Sequence, residues 1–454
     1  MRKISEFFAF NSLNKNMSPI KYILSIVFAA VYVYFGYFLA RDNFQELAIL
    51  FGVGFSLYFF FVLTTNDKKE TDRLLWISML FRLIFIVAIP CLSDDYFRFI
   101  WDGKLFINGF NPYLFVPSEI LNTDIAKTAG LTEVLYQGLN SPEYYTVYPP
   151  VNQLIFALGG FFSKYGMLAG IIAIRVPILI AEFFTIKYIR RLLDKLKLPH
   201  HYALLYALNP LVIVELSGNL HFEGMMLLCL VVGVYWLLHN NWGGAAFWWA
   251  MAISIKLIPI LFLPVLLKRL GVVKSFWFYL ITGIVLAFTF LPFLDQKLIE
   301  HLFSSIDLYF STFEFNASVY YIIRWLGFKS VGYNIIQQVG PILAIVTFIL
   351  VLFVYFYKTN SWQDVLKKML FGYTIYLLFA TTIHPWYVIN IVLLSVFVRN
   401  YRFAIVWSVM AILSYSAYSS ETYQENYLLI AIEYVVVIAW LGVELFLNAK
   451  KRIG

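Results

Sequence analysis

Apolar runs dominate this chain, and several reach the ~18–20 residues an α-helix needs to cross about 30 Å of hydrocarbon. They fall near 21–40, 46–64, 74–91, 167–187, 202–216, 222–238, 243–267, 275–292, 334–357, 369–385, 387–398, 403–418 and 427–448. A shorter run at 149–163 opens on Pro149-Pro150. A water-soluble core has no use for so much apolar chain. Of 454 residues, 61% are hydrophobic and 13% charged, against about 25% charged in an ordinary globular protein. Backbone polar groups in lipid must be satisfied within the protein, and runs of this length do so as helices. The expected fold is an all-α polytopic membrane protein, a single domain over 1–454. The runs predict a bundle of about 11–14 transmembrane helices with short interfacial helices between them.

Charge placement predicts orientation. The net charge of +8 is spread over short loops rather than gathered on a soluble face, so no nucleic-acid partner is expected. Basic stretches lie at 2–21, 68–73, 187–197, 268–274, 358–368, 399–402 and 450–452. Setting these in the cytoplasm puts 92–148 and 293–333 outside, together with the junctions at 217–221, 383–387 and 419–426. Between His239 and Lys268 the chain is too short for two full crossings at 1.5 Å per residue. Either two short helices meet near Lys256 and Pro259, the favoured reading, with 149–163 re-entrant or interfacial, or one basic loop departs from the charge rule. The first twenty residues carry no signal-peptide core, so the first apolar run reads as an uncleaved anchor. Cys91 and Cys229 lie in or beside apolar segments and read as inert thiols.

The first outer loop is the richest in chemistry. Ser93 or Asp94 is placed to cap a helix that ends before Gly109 and Asn111-Pro112. On that helix Asp95, Arg98 and Asp102 fall at i, i+3 and i+7, one face. Phe97, Ile100, Trp101, Leu105 and Phe106 would rest on the membrane surface. A carboxylate there suits a general base that takes the proton of an incoming hydroxyl. From residue types alone, an amphipathic helix with an Asp–Arg pair explains the pattern equally well.

The run Ser93-Asp94-Asp95-Tyr96-Phe97-Arg98-Phe99-Ile100-Trp101-Asp102-Gly103, followed by Gly109-Phe110-Asn111-Pro112-Tyr113, resembles the first-loop signature of bacterial GT-C-fold glycosyltransferases of mannosyltransferase type. Four further elements resemble that family in the same order: Tyr148-Pro149-Pro150; Asn209-Pro210-Leu211 leading to Gly218-Asn219-Leu220-His221-Phe222-Glu223; Lys256 with Pro259; and His384-Pro385-Trp386-Tyr387. The family's asparagine-glycine-histidine stretch is altered here to Asn219-Leu220-His221. The resemblance spans roughly 90–390 and implies a GT-C-like bundle with an extracytoplasmic active site in the plasma (inner) membrane. It implies a polyprenyl-phosphate sugar donor, hexose and preferably mannose, and a glycan or lipid acceptor. The aspartate opening the first outer loop would be the base of an inverting displacement. Asp94 and Asp95 compete for that role, and Asp95 is favoured because it alone shares a face with Arg98 and Asp102.

A departing lipid phosphate needs fixed cations, for which Lys256 is the leading candidate. Arg98, Asp102, Tyr148, His221, Glu223, Arg324 and His384 complete the expected donor and acceptor contacts. Arg82, Arg175, Glu182, Glu215, Glu433 and Glu444 read as packed or snorkelling charges. No cofactor and no metal is expected. The rival reading is a transporter or flippase of a lipid-linked sugar, which would set its ionisable groups near the midplane between inverted repeats. No repeat is detectable.

Overall fold

The computed structural model describes residues 17–419 and 423–453. Among the described residues its regular secondary structure is helical apart from one isolated bridge between Phe315 and Thr382. Numbering only the α-helices of eight residues or more, the order is α1 (Pro19–Tyr37), α2 (Phe44–Thr64), α3 (Lys68–Ile84), α4 (Asp95–Ile107), α5 (Pro150–Phe162), α6 (Met167–Lys195), α7 (Glu223–Leu238), α8 (Trp242–Ile253) and α9 (Leu263–Leu270). The second half holds α10 (Val272–Phe290), α11 (Leu298–Ser311), α12 (Val319–Val331), α13 (Ile336–Phe356), α14 (Trp362–Phe379), α15 (Ile389–Val396), α16 (Phe403–Met410) and α17 (Tyr427–Ile453).

The all-α polytopic class is as expected, but fewer helices span at full length than the run count implied. Among the described residues six are long and apolar enough to cross a membrane: α1, α2, α6, α10, α13 and α17. A seventh arises if Pro210–Gly218 and α7, bent by 113°, form one span. The shortfall has a local cause. Pro259 and Pro264 break the 243–267 run into α8, a 3-10 turn and α9, and Pro385 ends the run before it. The short 13-residue α5 covers only about 20 Å at 1.5 Å per residue. Lys256 lies in the break after α8, as expected.

Contacts sort the loops into two groups. The amine of Lys21, at the start of α1, reaches Glu70 and Thr65. Arg190 pairs with Asp72, and Arg399 bonds the carbonyl of Lys197. Near the other end of α1, the Tyr37 hydroxyl reaches the carbonyl of Ile84, and Arg41 pairs with Asp94. Most of the expected cytoplasmic stretches thus meet at one end of the bundle and the expected outer loops at the other.

The expected setting of α4 needs correction. Ile100, Trp101 and Leu105 are fully buried inside the protein instead of resting on lipid. Phe97 lies against the backbone of Gly138, and Phe106 packs at a tilt against Phe293, ring centroids 4.9 Å apart. The helix is clasped chiefly by α5. A Cβ on Gly103 would stand 1.8 Å from the Phe156 carbonyl oxygen, and one on Gly160 2.4 Å from the Gly103 carbonyl carbon. Only glycine permits this backbone approach. An apolar stripe looks the same in sequence whether its neighbour is lipid or protein.

Candidate active site

One cavity of about 830 Å³ collects the expected outer loops. Its lining includes Asp94, Asp95, Arg98, Tyr148, His221, Lys256 and His384, so seven of the expected site residues converge there. The wall also carries an apolar stretch from Leu257, Ile258, Ile260 and Leu261 after α8, Phe310 on α11, and Ala344 and Phe348 on α13. Ile260 and Phe348 are 45% and 53% exposed, so this apolar side of the wall is only partly covered by protein.

Asp94 is the N-cap of α4 but makes no side-chain cap; the Ser93 hydroxyl instead accepts from the Asp95 backbone N–H at 3.3 Å. The Asp94 carboxylate pairs with Arg41, whose guanidinium lies over the Tyr418 ring at 4.3 Å. Asp95 is half-buried, and its Oδ1 accepts from Asn140 Nδ2 at 2.7 Å. Asn140 is set in place by Arg98. The Arg98 Nε donates to Asp102 at 2.8 Å, while Nη1 donates to the carbonyls of Ser141 and Tyr144 at 3.2 and 3.0 Å. This arginine is buried, with its Nη2 left without a partner. The i, i+4 spacing that joins Arg98 to Asp102 therefore also anchors the loop that holds Asp95.

Three expected site residues do not line the cavity. Asp102 is fully buried behind Arg98 and accepts from Gln153 Nε2 at 3.2 Å. Glu223 is fully buried and paired with Lys256, leaving its Oε2 without a partner. Arg324 pairs with Glu314, and Glu314 is the member of that pair that reaches the lining. Lys256 itself is placed by α5, because Asn152 Nδ2 donates to the Ile255 carbonyl at 2.7 Å and Val151 N to the Ser254 carbonyl at 3.1 Å.

The two histidines share one ring. His221 stacks on Trp386 at 3.7 Å and 17°, and His384 stacks on Trp386 at 4.4 Å and 3°. Phe315 covers His384 at 4.7 Å. Burial, with the nearby Lys256 ammonium, pushes His384 down to about 3 despite the opposing field of Asp95. It is a neutral imidazole at physiological pH, and its Nδ1 has no partner. Among the described residues no three His, Cys, Asp or Glu side chains gather as a metal-binding set.

Sequence reasoning missed Arg41, Asn140 and Glu314, all on the cavity wall. Arg41 left a signal: it is a lone basic residue in a loop that the charge pattern places outside. Asn140 left none, because only the fold brings it to Asp95.

The chemistry this assembly offers is that of carboxylates beside fixed cations in a chamber with one partly exposed apolar wall. A family described as alpha-(1->6)-mannopyranosyltransferase, N-terminal domain, matches residues 25–270, more than half of the chain. The chain belongs to that family. No curated protein matches this mannosyltransferase, nor does any solved structure. The matched stretch holds Arg41, Asp94, Asp95, Arg98, Tyr148, His221 and Lys256, while the mannosyltransferase draws His384, Trp386 and Glu314 from beyond it.

Proposed function

We propose that this protein is an inverting glycosyltransferase that moves a hexose, mannose by family, from a polyprenyl-phosphate donor to an extracytoplasmic glycan or lipid acceptor. One observation carries the reading: a single chamber joins three carboxylates and three cationic side chains to a partly exposed apolar wall. A lipid-phosphate sugar has the same division, with a prenyl chain for the apolar wall and an anionic head for the chamber.

Asp95 is the proposed base. The Asp94 carboxylate is engaged by Arg41, whereas the one hydrogen bond to the Asp95 carboxylate among the described residues comes from Asn140. In the displacement the acceptor oxygen gives its proton to Asp95 and bonds to the anomeric carbon. The bond from that carbon to the phosphate oxygen breaks, and the lipid phosphate leaves with the electron pair. Lys256 and the unpartnered Nη2 of Arg98 are the proposed partners for that growing charge. If the product is the α-(1→6) mannoside of the family's description, inversion requires a β-configured donor and a primary 6-hydroxyl on the acceptor. The active site would then face the exterior of the plasma (inner) membrane, the side to which the short-loop charges assign it.

The test uses purified protein in liposomes with a panel of polyprenyl-phosphate sugars and oligomannoside acceptors. Wild type is expected to form a new glycosidic bond, and Asp95→Asn to lower kcat by roughly 10²- to 10⁴-fold, the usual worth of a positioned base. Full activity in both Asp94→Asn and Asp95→Asn would overturn the assignment. Lipid movement across the bilayer with no new bond would select the flippase.

A further inference from the structure

Behind the cavity lies a carboxylate that the proposed displacement does not use. Glu215 is fully buried in a π-helical turn, Ile213–Gly218, that ends just before His221. Such turns recur at functional sites. Its Oε1 accepts from the Tyr415 hydroxyl and from Asn219 Nδ2 at 3.3 Å. Its Oε2 stands 3.1 Å from His221 Nε2, within ion-pair range but off the line of a hydrogen bond, and neither atom has a hydrogen-bond partner. Asn219 Oδ1 in turn accepts from the Leu92 backbone N–H at 3.1 Å, two residues before Asp94. The His221 backbone N–H bonds the Glu215 carbonyl at 3.2 Å.

These contacts fix His221 on three sides. Trp386 sets the plane of the ring, the backbone bond sets its root, and Glu215 faces one of its two nitrogens. A carboxylate already accepting two donors offers His221 an acceptor and no proton. Nε2 is then the nitrogen that carries hydrogen, which leaves the Nδ1 lone pair as the face of the ring open to a ligand.

We infer that Glu215 is a positioning residue that holds His221 as the Nε2–H tautomer, so that His221 Nδ1 accepts a hydroxyl of the sugar bound in the cavity. The inference rests on the glycosyltransferase reading above and assigns His221 a recognition role within it. It also separates the two histidines on Trp386, since of the two only His221 stands within ion-pair distance of a carboxylate among the described residues.

Glu215→Gln is the discriminating change. A glutamine amide aimed at His221 donates where the carboxylate accepted, and so moves the ring proton to Nδ1. Replacing a carboxylate behind a histidine by its amide has this tautomeric consequence in the serine-protease triad, where it costs about 10⁴ in kcat. A recognition histidine should lose less, about 10- to 100-fold in kcat/KM for the intact sugar donor. The protein is reconstituted in nanodiscs with ¹⁵N-histidine, and His221 is assigned with His221→Gln. Wild type is expected to show a protonated Nε2 and a bare Nδ1, and Glu215→Gln the reverse at an unchanged melting temperature. Glu215→Asp should restore part of the activity. A donor lacking one sugar hydroxyl should be used equally by wild type and Glu215→Gln, for the hydroxyl that His221 receives. Wild type with Nδ1 protonated overturns the inference even if Glu215→Gln fails to fold. Equal kcat/KM in wild type and Glu215→Gln overturns it too, while active wild type leaves the glycosyltransferase reading intact.

Discussion

At the scale of single residues, the site works by giving similar groups different neighbours. Asp94 and Asp95 are adjacent in sequence, yet one meets Arg41 and the other Asn140. Sequence reasoning identified the aspartate pair and preferred Asp95 through its shared face with Arg98. That arginine turns out to act on the loop bearing Asn140 rather than on Asp95 directly. Glu215 was read with the packed charges because its residue type and apolar setting say nothing of what stands 3.1 Å away.

His384 gives a pH prediction at this scale. An unfolded histidine titrates near 6.5, whereas burial holds this one down to about 3 in the fold. Between those values the unfolded chain binds a proton that the folded chain refuses, so stability rises with pH across the window. The stabilisation is complete above about 6.5 and is lost as pH falls toward 3. Melting temperatures in nanodiscs should therefore drop from pH 7 to pH 4.5, with a shallower slope in His384→Gln. An unchanged slope would show that another group governs the acid limb.

At the scale of elements, the crossing of α4 and α5 is what sets the carboxylates in place. Gly103 and Gly160 bring the two backbones into contact, and Asn152 and Gln153 of α5 reach Ile255 and Asp102. Both sides of the cavity thus hang from one short helix that sequence reasoning set aside as re-entrant or interfacial. Gly103→Ala forces a methyl into the Phe156 carbonyl and has no flexible neighbour to yield. Overpacking of this kind costs about 1–3 kcal/mol, and here it also displaces Asp95. The expected result is a lower melting temperature with activity lost faster than fold, whereas Gly52→Ala, whose Cβ meets nothing within 4 Å, leaves both unchanged. The Arg82–Glu182 pair joins α3 to α6. Of the two expected settings, packed or snorkelling, its complete burial is the packed one.

At the scale of the whole molecule, the class of fold was legible because hydrocarbon thickness imposes a length on every crossing. The number of full crossings was less so. Apolar runs that proline divides read as spans until their bends are seen, as at Pro259 and Pro385. The grouping of loops yields a test of sidedness. In a chain whose Cys91 and Cys229 are replaced by alanine, Glu143→Cys, exposed beside the cavity, should react with a membrane-impermeant maleimide added to intact cells. Lys195→Cys, exposed near the other group of loops, should react only after lysis. The reverse pattern would put the site on the cytoplasmic face.

The family match ends at residue 270, but the cavity does not. Asp95, Arg41, Arg98 and Lys256 come from the matched portion, while Phe315, Trp386 and Tyr418 close it from the remainder. Changes confined to that later wall would reshape the chamber without touching Asp95 or the three cations.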